Sequence, residues 1–187
     1  MKISLVLLAA GNSRRFEGNK LLAHVDGKPM YLHIADEMEK QGNGLFCQKI
    51  IVTQYPEILQ AMKERGYEVI VNPGGGTGIA SSIRLGLEAV SGQAACFAVC
   101  DQPYLKGITV RRFLEGWIES GCGAGSLSCQ GIPGNPGVFS KKYFRELMEL
   151  TGDCGGKKVL ARHPEDWYMY EAEDKRELED IDIRRNI

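Results

Sequence analysis

The sequence predicts a three-layer α/β fold built around a mostly parallel sheet. The first apolar run of the chain is continuous, which is typical of a strand buried on both faces. Further apolar runs alternate with stretches whose apolar residues have helical spacing, and this alternation indicates βαβ units. A chain of 187 residues can enclose a substantial core, so we expect a single domain over residues 1–187.

The first part of the chain contains two predicted strands and two predicted helices. The strands are the continuous apolar run Ile3–Leu8 and the run Lys49–Thr53. The helices are one that contains Met30, Ile34 and Met38 at helical spacing and one over Glu57–Arg65, where a glycine follows.

The same alternation continues up to residue 128. The predicted strands are Tyr67–Val71, Ala95–Cys100 and Gly123–Ser128, and the predicted helices are Ser81–Val90 and Ile108–Glu119. Residues 131–161 break the alternation, and we expect them to form an excursion that closes over the site. A short strand over Trp167–Tyr170 and an acidic tail follow. Sheets of this kind bind ligands at the carboxyl ends of strands, near the point where strand order reverses.

The net charge and the character of the first residues exclude some classes of function. A formal net charge of -1 argues against a sequence-independent nucleic-acid binder, which needs a basic surface. The apolar opening Ile3–Ala10 is too short for a membrane span. It also differs from a signal peptide, because the arginines follow the apolar run instead of preceding it. We therefore expect a cytoplasmic protein with no membrane and no nucleic-acid partner.

The cysteines are predicted to be structural. There are six of them and none forms a CxxC pair, which favours small buried side chains in a reducing compartment over zinc ligands or disulfides. Cys96 and Cys100 lie four residues apart in a predicted strand, so we expect both to face the same layer.

A loop of small residues follows the first strand. In Leu8-Ala9-Ala10-Gly11 the backbone can approach a ligand closely, and successive N–H groups can bind an anion. Arg15 and Lys20 add positive charge that suits phosphate oxygens. The alternative is a strand-to-loop turn that carries two solvated cations.

A glycine-rich segment follows the third predicted strand. It includes Gly78 and leads into a helix that begins with Ser81 and Ser82. A helix N-terminus with serines can donate hydrogen bonds to a ribose or a phosphate. The alternative is a flexible loop with an N-cap serine.

Two further segments carry candidate ligand residues. Asp101 follows the fourth predicted strand, where an oxygen ligand for magnesium would lie, although it could also cap a helix. The turn-rich segment 131–139 includes Asn135 and Pro136. Asp153, in the following turn-rich segment, could be a second metal ligand or a helix cap.

Taken together, these motifs resemble those of the MobA-like nucleotidyltransferases. The matching segments are LAAGNSRRFEGNKLL, the glycine loop into Ser-Ser-Ile, VCDQP, GNPGVF, LTGDCGGKKVL and the late Asp180-Ile181-Asp182. They occur in order over nearly the whole chain, and within the family they are most similar to the molybdenum cofactor cytidylyltransferases. The resemblance implies a Rossmann-like nucleotidyltransferase fold and magnesium-dependent transfer of a nucleoside monophosphate from its triphosphate to a phosphate-bearing acceptor.

The resemblance also implies a base, an acceptor and site residues. In this family Leu-Ala-Ala-Gly is associated with CTP and Leu-Ala-Gly-Gly with GTP, so Ala10 points to CTP. The implied acceptor is a pterin that bears a phosphate, with a molybdoenzyme or its chaperone as a further partner. The implied residues are Arg15, Lys20 and Asp101 for catalysis; Leu8, Ala9, Ala10, Gly11, Gly78 and Ser82 for the nucleotide; Asn135 and Pro136 for the acceptor; and Asp101 and Asp153 for Mg²⁺.

Other functions remain open at this point. A guanylyltransferase, or a transferase acting on a sugar or alcohol phosphate, would share the motifs. A nicotinamide-dependent oxidoreductase would need GxGxxG, which the sequence lacks. A nucleotide-binding module that delivers a cofactor without catalysis is the non-enzymatic alternative.

Overall fold

The structure, a computed structural model, describes residues 1–11, 18–41, 44–74 and 78–181. The strands are β1 (Ile3–Ala9), β2 (His24–Val25), β3 (Lys28–Pro29), β4 (Gln48–Thr53), β5 (Glu68–Val71), β6 (Ala94–Val99), β7 (Ala124–Cys129), β8 (Ile132–Ser140) and β9 (Trp167–Glu171). The α-helices are α1 (Met30–Lys40), α2 (Pro56–Glu64), α3 (Ile79–Glu88), α4 (Gly107–Ser120), α5 (Phe144–Met148) and α6 (Lys157–Leu160). Short 3-10 turns lie at Lys20–Leu22, Lys141–Tyr143, Pro164–Asp166 and Lys175–Leu178.

Seven strands of the described chain form one sheet in the order β5-β4-β1-β6-β8-β7-β9. β5, β4, β1 and β6 pair in parallel, β8 is antiparallel to both of its neighbours, and β9 is parallel to β7. From β1 the chain continues to β4 on one side and returns to β6 on the other. Strand order therefore reverses at β1, and the crevice between the carboxyl ends of β1 and β6 is the expected ligand site.

Helices cover both faces of the sheet, which confirms the predicted three-layer α/β fold. Every residue of β1 is buried, as its continuous apolar run predicts. Leu5 and Leu7 join the core beneath α1, α2 and α4, whereas Val6 and Leu8 join the core beneath α3, α5 and α6. The alternating side chains of one strand thus belong to two separate cores.

Residues 131–161 differ from their prediction. Ile132–Ser140 is a sheet strand, β8, instead of part of an excursion. A two-residue turn with positive φ at Gln130 (52°) and Gly131 (74°) returns the chain directly beside β7, which is the geometry of a tight hairpin. The later part does leave the sheet and contacts α3, since the amide of Ala80 donates to the carbonyl of Gly152 (3.1 Å).

The two cysteines of β6 and its carboxyl end face the same layer, as predicted. Cys96 and Cys100 are both buried in the core beneath α1, α2 and α4. Burial raises the pKa of the Cys96 thiol to about 12. Burial, reinforced by the nearby negative charge of Asp101, raises the pKa of the Cys100 thiol further. Both side chains are therefore neutral thiols at physiological pH, which excludes them as thiolate nucleophiles.

Across the described ranges, no helix combines the length and the apolar character that a membrane span requires.

Candidate active site

An ion pair lies at the crevice between β1 and β6. Asp101 lies two residues beyond the end of β6, and Lys20 begins a 3-10 turn whose middle residue, Leu21, is buried. The side chain of Asn19 caps this turn by accepting from the amide of Leu21 (3.0 Å). Lys20 Nζ donates to Asp101 Oδ2 at 2.7 Å, with 14% and 21% of the two side chains exposed. The fold thus joins two predicted catalytic residues that lie 81 positions apart in the sequence.

The end of the described chain holds the backbone around Asp101. The amide of Ile181 donates to the carbonyl of Asp101 (3.0 Å). The buried side chain of Gln102 donates to Asp180 Oδ1 (2.8 Å) and to the carbonyl of Leu178 (3.2 Å). Sequence reasoning missed these contacts, because nothing local to Gln102 indicates that a segment almost 80 residues later packs against it.

One carboxylate oxygen of Asp101 is suited to a metal ion. Asp101 Oδ1 is buried and has no hydrogen-bond partner among the described residues. A buried carboxylate oxygen without a partner is costly, and a cation removes that cost. Within the same residues no group of three or more His, Cys, Asp and Glu side chains could hold a metal. This arrangement fits Mg²⁺, which commonly takes one or two carboxylates and completes its shell with water and substrate phosphates.

Three consecutive side chains at the end of β4, of which Thr53 is its last residue, contact the loop Leu8-Ala9-Ala10-Gly11. Thr53 Oγ1 donates to the carbonyl of Ala9 (3.0 Å), Gln54 Nε2 to that of Ala10 (2.7 Å) and the Tyr55 hydroxyl to that of Gly11 (2.6 Å). Ala9 and Ala10 are buried, whereas Gly11 is exposed. Sequence reasoning missed this set of donors. The available signal was a run of polar side chains that starts with the last residue of an apolar strand, at the same sheet edge as the loop.

The start of α3 is tied to other parts of the protein. Gly78 has φ 103°, and a Cβ at this position would lie 2.2 Å from the carbonyl carbon and oxygen of Gly152. Ser82 is buried and accepts from Asn72 Nδ2 (3.0 Å), which also donates to Ser81 (2.9 Å). These contacts give Gly78 and Ser82 a structural role, and nucleotide binding by either residue stays a prediction.

A cavity of about 330 Å³ lies between α3, α6 and the sheet. Leu8, Phe97 and Phe139 contribute to its apolar lining, and Asn135 and Asp153 contribute polar groups. Because Leu8 lines the cavity and also begins the small-residue loop, the cavity is continuous with the carboxyl end of β1.

The remaining predicted residues are distributed unevenly. Pro136 is buried next to the half-buried Asn135, with which it forms a cis peptide bond. Asp153 is exposed, and Asp101 is not among the described residues that line the cavity with it. Arg15 and Asp182 lie outside the described residues.

Comparisons with known proteins agree with this geometry. The family model described as the MobA-like NTP transferase domain matches residues 5–167 of this chain. A protein of Pyrococcus horikoshii named a probable molybdenum cofactor guanylyltransferase is 37% identical over 160 residues, which cover 82% of this chain and 75% of that protein.

Solved structures share the fold. A nucleotidyl transferase from Methanothermobacter has a TM-score of 0.79 at 22% identity, covering 99% of this chain and 94% of its own. A Mycobacterium tuberculosis protein solved in complex with manganese has a TM-score of 0.72 at 23% identity, covering 92% of this chain and 89% of its own. The family match covers most of the chain, and the Lys20–Asp101 pair lies where the strand order of the sheet reverses. The chain therefore belongs to the MobA-like NTP transferase family of nucleotidyltransferases.

Proposed function

We propose that this nucleotidyltransferase moves CMP from CTP to the terminal phosphate of molybdopterin or the molybdenum cofactor and releases pyrophosphate. The observation that carries the proposal is the Lys20–Asp101 pair beside the small-residue loop, at the carboxyl ends of β1 and β6. Lys20 supplies the positive charge that a triphosphate needs. Asp101 supplies a carboxylate for the metal ion, and one oxygen of that carboxylate is buried and lacks a described partner.

In the proposed reaction a phosphate oxygen of the acceptor forms a bond to the α-phosphorus of CTP as the bond to the β-phosphate breaks. The acceptor phosphate is already ionised, so no side chain has to remove a proton. Lys20 stabilises the triphosphate and the negative charge of the departing pyrophosphate, and Arg15 is proposed to assist it. Asp101 and, in this proposal, Asp153 hold Mg²⁺, which neutralises phosphate charge when bound. Catalysis is then mainly positioning and electrostatics.

A divalent metal is supported by two independent observations. The buried Oδ1 of Asp101 is a hard oxygen ligand without a described partner. The Mycobacterium tuberculosis protein of the same fold was solved with manganese, which prefers the same oxygen ligands as magnesium. Mg²⁺ is our specific proposal for this chain.

The base is proposed to be cytosine because of Ala10. Ala10 is only 2% exposed, and Gln54 holds its carbonyl, so its methyl group has a fixed position at the end of β1. A methyl group there leaves less space for a purine than a glycine would. The second candidate is guanylyl transfer, which the name of the Pyrococcus relative favours.

The acceptor is proposed to occupy the cavity next to Leu8, near Asn135 and Pro136. Its apolar lining suits a fused ring better than a polyol chain, and Lys157 and Lys158 at the cavity could bind the acceptor's negative charge. Because the cavity reaches Leu8, an acceptor inside it would lie beside a nucleotide bound on Ala9–Gly11. The product would then pass to a molybdoenzyme or its chaperone.

The first test measures pyrophosphate release with each of the four nucleoside triphosphates, with and without molybdopterin. We expect release that requires both CTP and molybdopterin and that stops when EDTA removes the divalent metal. Preference for GTP would contradict the base assignment. Turnover only with a sugar phosphate would contradict the acceptor assignment, and tight CTP binding without pyrophosphate release under any condition would favour the cofactor-delivery module.

A further inference from the structure

We propose that Thr53, Gln54 and Tyr55, here called the β4 clamp, are positioning residues that set the direction of the N–H groups of Ala10 and Gly11. Through these groups the clamp controls nucleotide affinity and the choice between bases. The inference rests on the proposed function, in which Ala9–Gly11 holds the nucleotide.

The clamp is a run of side-chain hydrogen bonds with a constant sequence offset. Three consecutive side chains donate to three consecutive carbonyls, at 3.0, 2.7 and 2.6 Å, and each donor lies 44 residues after its acceptor. The clamp is also tied internally, because the amide of Tyr55 donates to Thr53 Oγ1 (3.1 Å). The end of β4 therefore follows the end of β1 residue by residue beyond the last rung of the parallel ladder, Ala9 with Thr53.

These bonds determine where the loop's amide groups point. In a regular strand successive carbonyls point to opposite sides, but here the carbonyls of Ala9 and Ala10 both accept from side chains at the end of β4, Thr53 and Gln54. A trans peptide places its N–H opposite its C=O. The N–H of Ala10 therefore points away from Thr53 Oγ1, and the N–H of Gly11 points away from the Gln54 amide. Two successive donors directed away from one strand form the kind of concavity that binds an anion or an acceptor atom.

Hydrogen bonding, more than packing, fixes the outer part of this loop. Gly11 is exposed, and among the described residues no atom lies within 4 Å of the place where its Cβ would be. The described contact that orients its carbonyl is the hydroxyl of Tyr55. Loss of the Gln54 amide or of the Tyr55 hydroxyl thus frees the peptide that carries the N–H group.

The test replaces Gln54 with alanine and Tyr55 with phenylalanine in the full chain. Each substitution removes one donor to the loop, so we expect KM for CTP to rise by about tenfold in each variant, with a smaller change in kcat. We also expect the ratio of kcat/KM for CTP to that for GTP to move toward one. The matched control is Gln60→Ala on the surface of α2, which removes a side-chain bond to Glu64 (2.6 Å) at a position that does not contact the loop.

The readouts separate positioning from stability and from the proposed function itself. Thermal midpoints are measured for all variants, and Tyr55→Phe, which deletes a single hydroxyl, keeps the test informative if Gln54→Ala is poorly folded. Clamp variants that fold normally with unchanged KM and unchanged CTP/GTP ratio would overturn the inference. A wild-type protein that binds none of the four triphosphates in a direct titration would instead overturn the proposed function.

Discussion

Lys20 and Asp101 neutralise each other across 2.7 Å in the structure, and each has a distinct role in the proposed reaction. In that proposal a divalent cation would take the place of Lys20 beside Asp101, and the positive charge of Lys20 would then be available for phosphate oxygens. The two charges are mostly buried, so their interaction is stronger than that of a solvated surface pair. The same groups therefore stabilise each other before nucleotide binds and are proposed to stabilise the triphosphate afterwards.

We predict that Lys20→Ala and Asp101→Ala each reduce nucleotidyl transfer by about a hundredfold or more, by analogy with the loss of an electrostatic donor in other enzymes. Steady-state pyrophosphate release at saturating CTP and Mg²⁺ measures the effect. Lys28→Ala is the matched control, because it removes another partly buried Lys–Asp pair, with Asp36 at 2.6 Å. Near-normal turnover of either site variant would remove the Lys20–Asp101 pair from the catalytic assignment.

At the scale of elements, the start of α3 depends on a close backbone contact. Gly78 immediately precedes α3, and the carbonyl of Gly152 accepts from Ala80 within the first turn of that helix (3.1 Å). This contact joins the segment before α6 to the start of α3. Because both segments also line the cavity, through Ile79 and Asp153, the contact helps to define the proposed acceptor site.

We predict that Gly78→Ala destabilises the protein by about 2–4 kcal/mol, because it combines an unfavourable positive φ with a steric clash. The added Cβ would lie 2.2 Å from the Gly152 carbonyl, and φ is 103°. Gly121→Ala is the control, since Gly121 also has positive φ (72°) but nothing lies within 4 Å of its Cβ position in the described structure. Urea unfolding at neutral pH compares the two variants, and equal losses would show that the contact with Gly152 contributes nothing.

At the scale of the whole molecule, the carboxylate of Asp166 connects several segments of the chain around β7, β8 and β9 by hydrogen bonds. Asp166 accepts from the hydroxyl of Tyr143 (2.6 Å), from the amide of Gly123 (2.8 Å) and from Lys142 Nζ (2.9 Å). The Tyr143 hydroxyl, followed by Lys142 and the Gly123 amide, lowers the pKa of Asp166 from 3.8 to about 2. These bonds join three places in the chain. Gly123 lies directly before β7, Lys142 and Tyr143 lie in the 3-10 turn that follows β8, and Asp166 ends the 3-10 turn that precedes β9.

The lowered pKa makes the stability of the whole fold depend on pH. A depressed carboxyl pKa stabilises the folded state fully above the unfolded value, and this contribution is lost as pH falls from about 4 to about 2. We predict that Asp166→Asn is less stable than wild type at pH 7 by about 1 kcal/mol, because solvent screening reduces the full value of the pKa shift, and that this difference narrows over this pH window. Chemical unfolding at pH 7, 4 and 3 checks it, with Glu165→Gln on the same turn as control. A difference in unfolding free energy between variant and wild type that is the same at pH 7, 4 and 3 would contradict the assignment to Asp166 ionisation.

The sequence by itself determined the class of the fold and the chemical character of its loops. The run Ile3–Leu8 is apolar throughout, and a strand buried on both faces must be, so the centre of the sheet could be predicted locally. Helical spacing of apolar residues likewise predicted α1 and α3, because one face of each helix has to be buried. Lys20 and Asp101 were predicted from residue type and from their positions after strands.

Only the tertiary structure decided which distant residues meet. β8 looked like a loop because its proline and glycine content hides the alternation of a strand, yet pairing on both edges with β6 and β7 gives it a place in the sheet. The β4 clamp and the tie from Gln102 to Asp180 depend on strand order and on a chain segment that returns from far along the sequence. The local periodicity of a sequence indicates whether a residue is buried. It does not indicate which distant residue packs against it or accepts its hydrogen bond, because those contacts form only when the strands assemble into the sheet.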